Sequence, residues 1–236
     1  MVENISKILF LDIETVPAYP SFEKAPEDYQ NLWKKKAVYL KKEDESDAEI
    51  YGRAGIYAEF GKIVCISSGV IHYEHGKQHL RIKSFYGDDE KKLLLEFAEM
   101  LDKHFFHDDS RLCAHNGKEF DFPYLCRRML VNNIEIPKVL NLRGKKPWEV
   151  QHIDTMELWK FGDYKNFTSL ETLAYLFGIP SPKEDIDGSM VKVVYWQEKN
   201  IERIVKYCQN DVKTLTNLYL KMTSQEIISQ ENVSYV

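Results

Sequence analysis

The chain has few cysteines: four in 236 residues, Cys65, Cys113, Cys126 and Cys208, with no two in a CxxC pair. That excludes a disulfide-stapled scaffold and a cysteine-rich zinc module. Three of the four lie in apolar strand-like or helix-like segments, the usual place for a reduced core thiol. Long apolar runs are missing too, and none approaches the roughly 20 residues needed to span a bilayer. The opening ILFLDI is too short, and too soon interrupted by acids, to read as a signal peptide. The expectation is a soluble, cytoplasmic protein with no membrane partner. Positive charge is not in excess, since 32 Lys and Arg against 37 Asp and Glu leave a net charge of −5. This argues against a protein that coats DNA through a basic surface. It weighs less against an enzyme whose carboxylates are neutralised by metal.

What is present is a well-stocked core and a mixed pattern. With 44% hydrophobic and 13% aromatic residues, the chain can bury a large interior. Residues 7–13 form an apolar run ending in acids, as a buried central strand would. GKIVCISSGVIHY and QHLRIKSFY, separated by EHGK, predict a hairpin. DDEKKLLLEFAEMLDKHFF, DFPYLCRRMLVNN and FTSLETLAYLFGI have helical spacing, the last with Thr168 or Ser169 as its N-cap. RLCAHN and EVQHIDT predict short strands, and a long helix is expected from about Ile201 to Met222. These alternations imply one mixed α/β sheet flanked by helices, in a single domain over residues 1–236. An excursion at about 17–55 breaks the pattern with three prolines, a lysine block and an acidic block. Its plainer reading is a solvated helix with internal ion pairs. The other makes Trp33, Lys34, Lys35, Lys36 and Tyr39 part of a strand-binding wall.

Acids in or beside apolar runs need a partner, because an ionised carboxylate is costly away from water. Asp12 and Glu14 are two apart on a predicted strand and so project from one face. Taken alone, the pair favours the plainer reading of a strand end running into solvent. Tyr207 and Asp211 are four apart on the last helix and share one margin of its apolar stripe. Alone, they fit a rim tyrosine and a surface aspartate equally well. Asn116 and Asp121 bracket a strand-to-helix step, where Asp121 could equally be an N-cap.

The order and company of these residues resemble a known family. HNGKEFDFPYLCRR is similar to the second exonuclease motif of the family B DNA polymerase proofreading domains, DIET to the first, and YCQND to the third. The filler HIDTMELWKFGDYKNFTSLETLAYLFGIPSPKEDI also resembles theirs, with an Asp introducing a helix, a Ser-Leu helix start and a Lys-x-Asp. The chain resembles the stand-alone predicted 3′–5′ exonucleases of this type: the DEDD group, on a ribonuclease H-like fold. Tyr207 three residues clear of Asp211 matches the tyrosine subgroup.

The resemblance implies a metal-dependent 3′–5′ exonuclease that hydrolyses terminal phosphodiesters of single-stranded DNA and releases nucleoside 5′-monophosphates. The implied cofactors are two Mg²⁺ or Mn²⁺ ions held by Asp12, Glu14, Asp121 and Asp211, hard oxygen donors for hard cations. Asp12 would bridge the ions, and Tyr207 would orient the attacking water. Thr15, Asn116 and Phe120 would touch the substrate, a nucleic acid with a free 3′ end. Alternatives are an exoribonuclease, or a catalytically idle nucleic-acid-binding module on the same fold; a protein partner is also compatible. For grip on the strand, Phe122, Tyr124, Arg127 and Arg128 are further candidates, as is the basic RGKKPW loop at residues 143–148.

Overall fold

The computed structural model of the protein describes residues 4–163, 165, 167–180 and 186–236. Its centre is a six-stranded sheet in the order β5-β4-β1-β2-β3-β6. Strand β1 (Ile8–Pro17) pairs antiparallel with β2 (Gly61–Glu74), which turns back into β3 (Lys77–Tyr86). The hairpin turn uses His75 and Gly76, both at positive φ (49° and 79°), as a tight two-residue turn with the sheet's twist demands. On the other side of β1, β4 (Arg111–Ala114) and the two-residue β5 (Ile153–Asp154) run parallel to it. A short β6 (Val233–Tyr235), which no sequence pattern announces, pairs in parallel with β3 over Leu80–Ile82. No helix among the described residues is long and apolar enough to cross a membrane.

Between β1 and β2 lies the excursion, with α1 (Glu27–Ala37), and its two ends meet where Pro17 pairs with Gly61. Trp33 is fully buried there among Tyr51, Ala54 and Ile50, and its indole N–H donates to the Asp47 carbonyl at 2.8 Å. That removes Trp33 from any strand-binding wall. Lys36 lies over the Tyr57 ring, 4.3 Å from its centroid, and Lys41 pairs with Asp47 at 3.1 Å.

Helices cover both faces of the sheet. On one face α2 (Glu90–His104) and α3 (Asp121–Val131) pack Leu93, Leu94, Phe97, Phe122 and Leu125 against Leu9, Leu11 and Ile13. Two shorter helices, α4 (Thr155–Lys160) and α5 (Leu170–Leu176), lead toward the other face, and Ser169 is the N-cap of α5. A one-turn α6 (Val191–Val193) runs into a π-helical turn, Val194–Glu198, before the long α7 (Ile201–Met222). Helix α7 packs Val205, Cys208, Val212 and Leu215 over Phe10, Val16 and Cys65. Alternation along β1 therefore sends even residues toward α7 and odd residues toward α2 and α3.

One irregularity bears on the site. The β1–β2 register shifts between Glu14 and Thr15: Glu14 faces Cys65 but Thr15 faces Ile63. Val64 is the extra residue of this bulge, so Val64 and Cys65, though consecutive, both enter the α7-side core.

Candidate active site

Asp12 and Glu14 lie on the α7 face of β1, and α7 presents Cys208 to them. One carboxylate oxygen from each acid and the Cys208 sulfur all lie within 4.8 Å of one another. The Cys208 thiol donates to both the Asp12 carbonyl (3.4 Å) and its Oδ2 (3.3 Å). Asp121 and Asp211 stand outside that close set, yet their charges act on both Asp12 and Glu14. The two clusters around β1 and the acid of α7 are thus brought to one place.

Asp121 is the first residue of α3; Phe120, not Asp121, occupies the N-cap position. It is buried, and its carboxylate accepts from its own amide and from that of Ile13. Strand β4 pairs with β1 only as far as Phe10, so the Ile13 amide has no strand partner on that edge. The carboxylate finishes the edge that β4 leaves open. Asp211 is held by a hydrogen bond from Tyr207, its neighbour one helical turn earlier.

Burial above all pushes Asp12 well above the usual carboxylate range, aided by the charges of Asp211 and Asp121 and opposed by the Cys208 hydrogen bond. Burial, then Asp12 and Asp211, does the same to Glu14. Asp121 is raised to about 7, chiefly by burial. Asp211 is raised to about 6 by burial, with the Tyr207 bond holding it down. The strongest charged neighbours of these acids are other acids, and a cation is what such a donor set lacks.

In metal-free protein Asp121 and Asp211 bind protons near pH 7 and 6 in the folded state, but only near 4 when unfolded. The folded state therefore holds more protons between those limits, and stability rises as pH falls from 8 toward 5. Thermal melting in EDTA should show Tm climbing by several degrees over that range. With saturating Mn²⁺ the gradient should reverse, because protons compete with the ion for the same oxygens.

The loop into α3 is fixed by an acid that sequence reasoning noted only as a helix opener. Asp154 caps α4 by accepting from Met156 (2.9 Å) and Glu157 (3.4 Å), and it also accepts from the amides of Asn116 (2.9 Å) and Lys118 (3.1 Å). Asn116 sits at φ 63°, a left-handed conformation that asparagine tolerates. Of the other expected substrate contacts, Thr15 is half-buried and its hydroxyl bonds Tyr124. Phe120 is half-buried on the main core, its ring 5.4 Å from that of Tyr124. Phe122 and Tyr124 are buried, and the Tyr124 hydroxyl donates to the Gly55 carbonyl at 2.8 Å, which ties the excursion to α3. Arg128 turns inward to Glu90 at 2.6 Å and is not part of a groove. The Lys-x-Asp at residues 183–185 lies outside the described residues.

Cys208 is the contact that sequence reasoning missed. It was legible as a core thiol, and it is buried. Its position three residues before Asp211 was the available signal, since that spacing shares a helix face.

The family described as "Predicted 3'-5' exonuclease related to the exonuclease domain of PolB" matches residues 56–234, a span that contains Asp121, Tyr207 and Asp211 and begins after Asp12 and Glu14. The family B DNA polymerase of the hyperthermophilic archaeon Pyrobaculum calidifontis is similar in structure, with a TM-score of 0.55 at 14% identity over 92% of this chain. This chain spans only 24% of that polymerase. The RNase domain of the yeast Pop2 protein gives a TM-score of 0.41 at 12% identity, covering 97% of this chain and 81% of that one. The fold is a ribonuclease H-like mixed α/β sheet flanked by helices, and the chain belongs to the family of predicted 3′–5′ exonucleases related to the exonuclease domain of PolB.

Proposed function

We propose that the protein is a metal-dependent 3′–5′ exonuclease that removes nucleoside 5′-monophosphates from single-stranded DNA. The observation that carries this reading is the meeting of Asp12, Glu14, Asp121 and Asp211, from three separate segments, in a buried setting where Asp211 and Asp121 raise the cost of charging Asp12 and Glu14, and Asp12 that of Glu14. Such a cluster opposes folding unless cations neutralise it, and its oxygens suit Mg²⁺ or Mn²⁺. Asp12 and Glu14 would share one ion with Asp211, and Asp121 with Asp12 would hold a second. Bound there, the two ions stabilise charge on the attacking and leaving oxygens of a phosphodiester.

The chain's own residues do the rest. Tyr207, bonded to Asp211 on α7, would orient the attacking water and accept a hydrogen bond from it. Asp154 holds the amides of Asn116 and Lys118, and so fixes the loop that delivers Asp121 at the start of α3. Tyr207→Phe should lower kcat by about 10²-fold, the range of a lost proton-positioning group. Its Mn²⁺-induced rise in Tm should stay near wild type, which separates water positioning from ion binding.

The direct test is digestion of 5′-labelled single-stranded DNA and RNA with Mg²⁺ or Mn²⁺. A ladder shortening from the 3′ end, absent in EDTA, supports the reading, and the faster polymer names the substrate. No cleavage of either polymer under these conditions would sink it.

A further inference from the structure

A cavity of about 530 Å³ opens beside α3, on the side away from the sheet. Its apolar floor includes Pro123, Leu130, Ile136 and Leu142, and its near end is Lys118 and Glu119, in the loop that leads to Asp121. The rim is cationic. Arg127, Arg143 and Lys145 line it and are exposed, and the two guanidiniums both act on the Cys126 thiol at its wall. Among the described residues, neither Arg127 nor Arg143 forms an ion pair. Just beyond, Trp148 is 76% exposed, with the Lys146 ammonium 5.2 Å from its ring centroid. Of the nearby acids, Glu157 pairs with Lys118 at 2.6 Å and Glu149 accepts from the Lys146 amide at 2.7 Å, while Glu119 at the cavity's near end is exposed and leaves the rim with net positive charge.

Unpaired arginines and an exposed indole are an unusual combination on a chain of net charge −5. Left without ligand, the indole exposes apolar area to water, and the cations repel one another. Single-stranded nucleic acid answers both, because its phosphates pair with the cations and its bases stack on the ring. Arg127 lies six residues along α3 from Asp121, about 9 Å at ~1.5 Å per residue. A dinucleotide whose end sits at the acids therefore meets at most the near edge of the patch, whereas a long strand can run across all of it.

We infer that Arg127, Arg143, Lys145, Lys146 and Trp148 form a second nucleic-acid contact, which holds the body of the strand while its 3′ end occupies the carboxylate cluster. This rests on the proposed exonuclease reading. The patch acts on affinity for long strands rather than on the chemical step.

The test compares a 20-nucleotide DNA strand with a dinucleotide, in wild-type protein and in R143E/K145E. Charge reversal at two exposed residues should cut the 20-mer to dinucleotide ratio of kcat/KM at least tenfold, through KM. The salt dependence of 20-mer binding should flatten by about one to two units of log–log slope. In EDTA, where nothing is cut, the 20-mer should change the tryptophan fluorescence of wild type but not of W148F. A ratio and a salt slope both at wild-type values would overturn the patch. If wild type cuts neither substrate with Mn²⁺, the exonuclease reading falls by itself. A Trp148-dependent signal in EDTA would then still support the patch, and its absence would overturn it.

Discussion

Asp12→Asn should stop hydrolysis while raising the Tm of the metal-free protein. The two effects have one cause. Asp12 is pushed up by burial and by the charges of Asp211 and Asp121, and its own charge in turn raises Glu14. An amide of the same shape removes that repulsion, so in EDTA at pH 8 Tm should rise by several degrees. The same change deletes the oxygen proposed to bridge both ions. Turnover of labelled single-stranded DNA should fall by at least about 10³-fold, since in the proposed mechanism the ions would stabilise charge on both reacting oxygens. The Mn²⁺-dependent gain in Tm should shrink or vanish. A variant that melts lower in EDTA, or that keeps full activity, would refute the account of the cluster. The isostere is preferable to alanine, whose cavity would add a loss of its own.

The second large effect concerns stability alone. Glu90→Ala should destabilise the protein by about 3–5 kcal/mol, the usual cost of leaving one member of a buried ion pair uncompensated. The pair is well made: Glu90 accepts from Arg128 Nε at 2.9 Å and Nη2 at 2.6 Å, from the Ile63 amide at 2.7 Å and from Asn132 at 3.0 Å. The Ile63 amide needs this acceptor because β3 pairs with β2 only as far as Cys65. Arg128 also donates to the Ala58 carbonyl at 2.8 Å, so one acid links α2, α3, β2 and the end of the excursion. At about 2–4 °C per kcal/mol for a chain of this size, Tm should drop by roughly 10 °C. The double change Glu90→Leu with Arg128→Met should recover much of that, because no orphaned charge remains. A double variant no better than the single one would show that the hydrogen bonds to Ile63 and Ala58, not the charge, carry the effect.

The central sheet, the hairpin and the long α7 were legible because alternation and helical spacing persist over many residues there. β5 was legible as a short strand within EVQHIDT, though longer than the two residues that pair; β6 was not, since a three-residue strand carries no period of its own. Within the site, Asp12 with Glu14 and Tyr207 with Asp211 could each be placed on one face from spacing. Their meeting could not, because it depends on packing between β1 and α7, and only the family resemblance suggested it. Arg128 misled because an arginine one turn after the motif looks the same in sequence whether it faces a groove or a buried glutamate 38 residues away. Trp33 misled likewise: its neighbours are lysines in sequence and tyrosines in space.

The alternation of β1 has an evolutionary consequence. Leu11 and Ile13 face α2 and α3, and exchanging either for a polar residue unfolds the core that every descendant needs. Asp12 and Glu14 face the opposite way, where losing a charge makes the metal-free fold easier to keep. Folding alone therefore exerts no hold on the two acids and would favour their decay. If the proposed metal role were lost, the two acids would be the first to go, while Leu11 and Ile13 would stay.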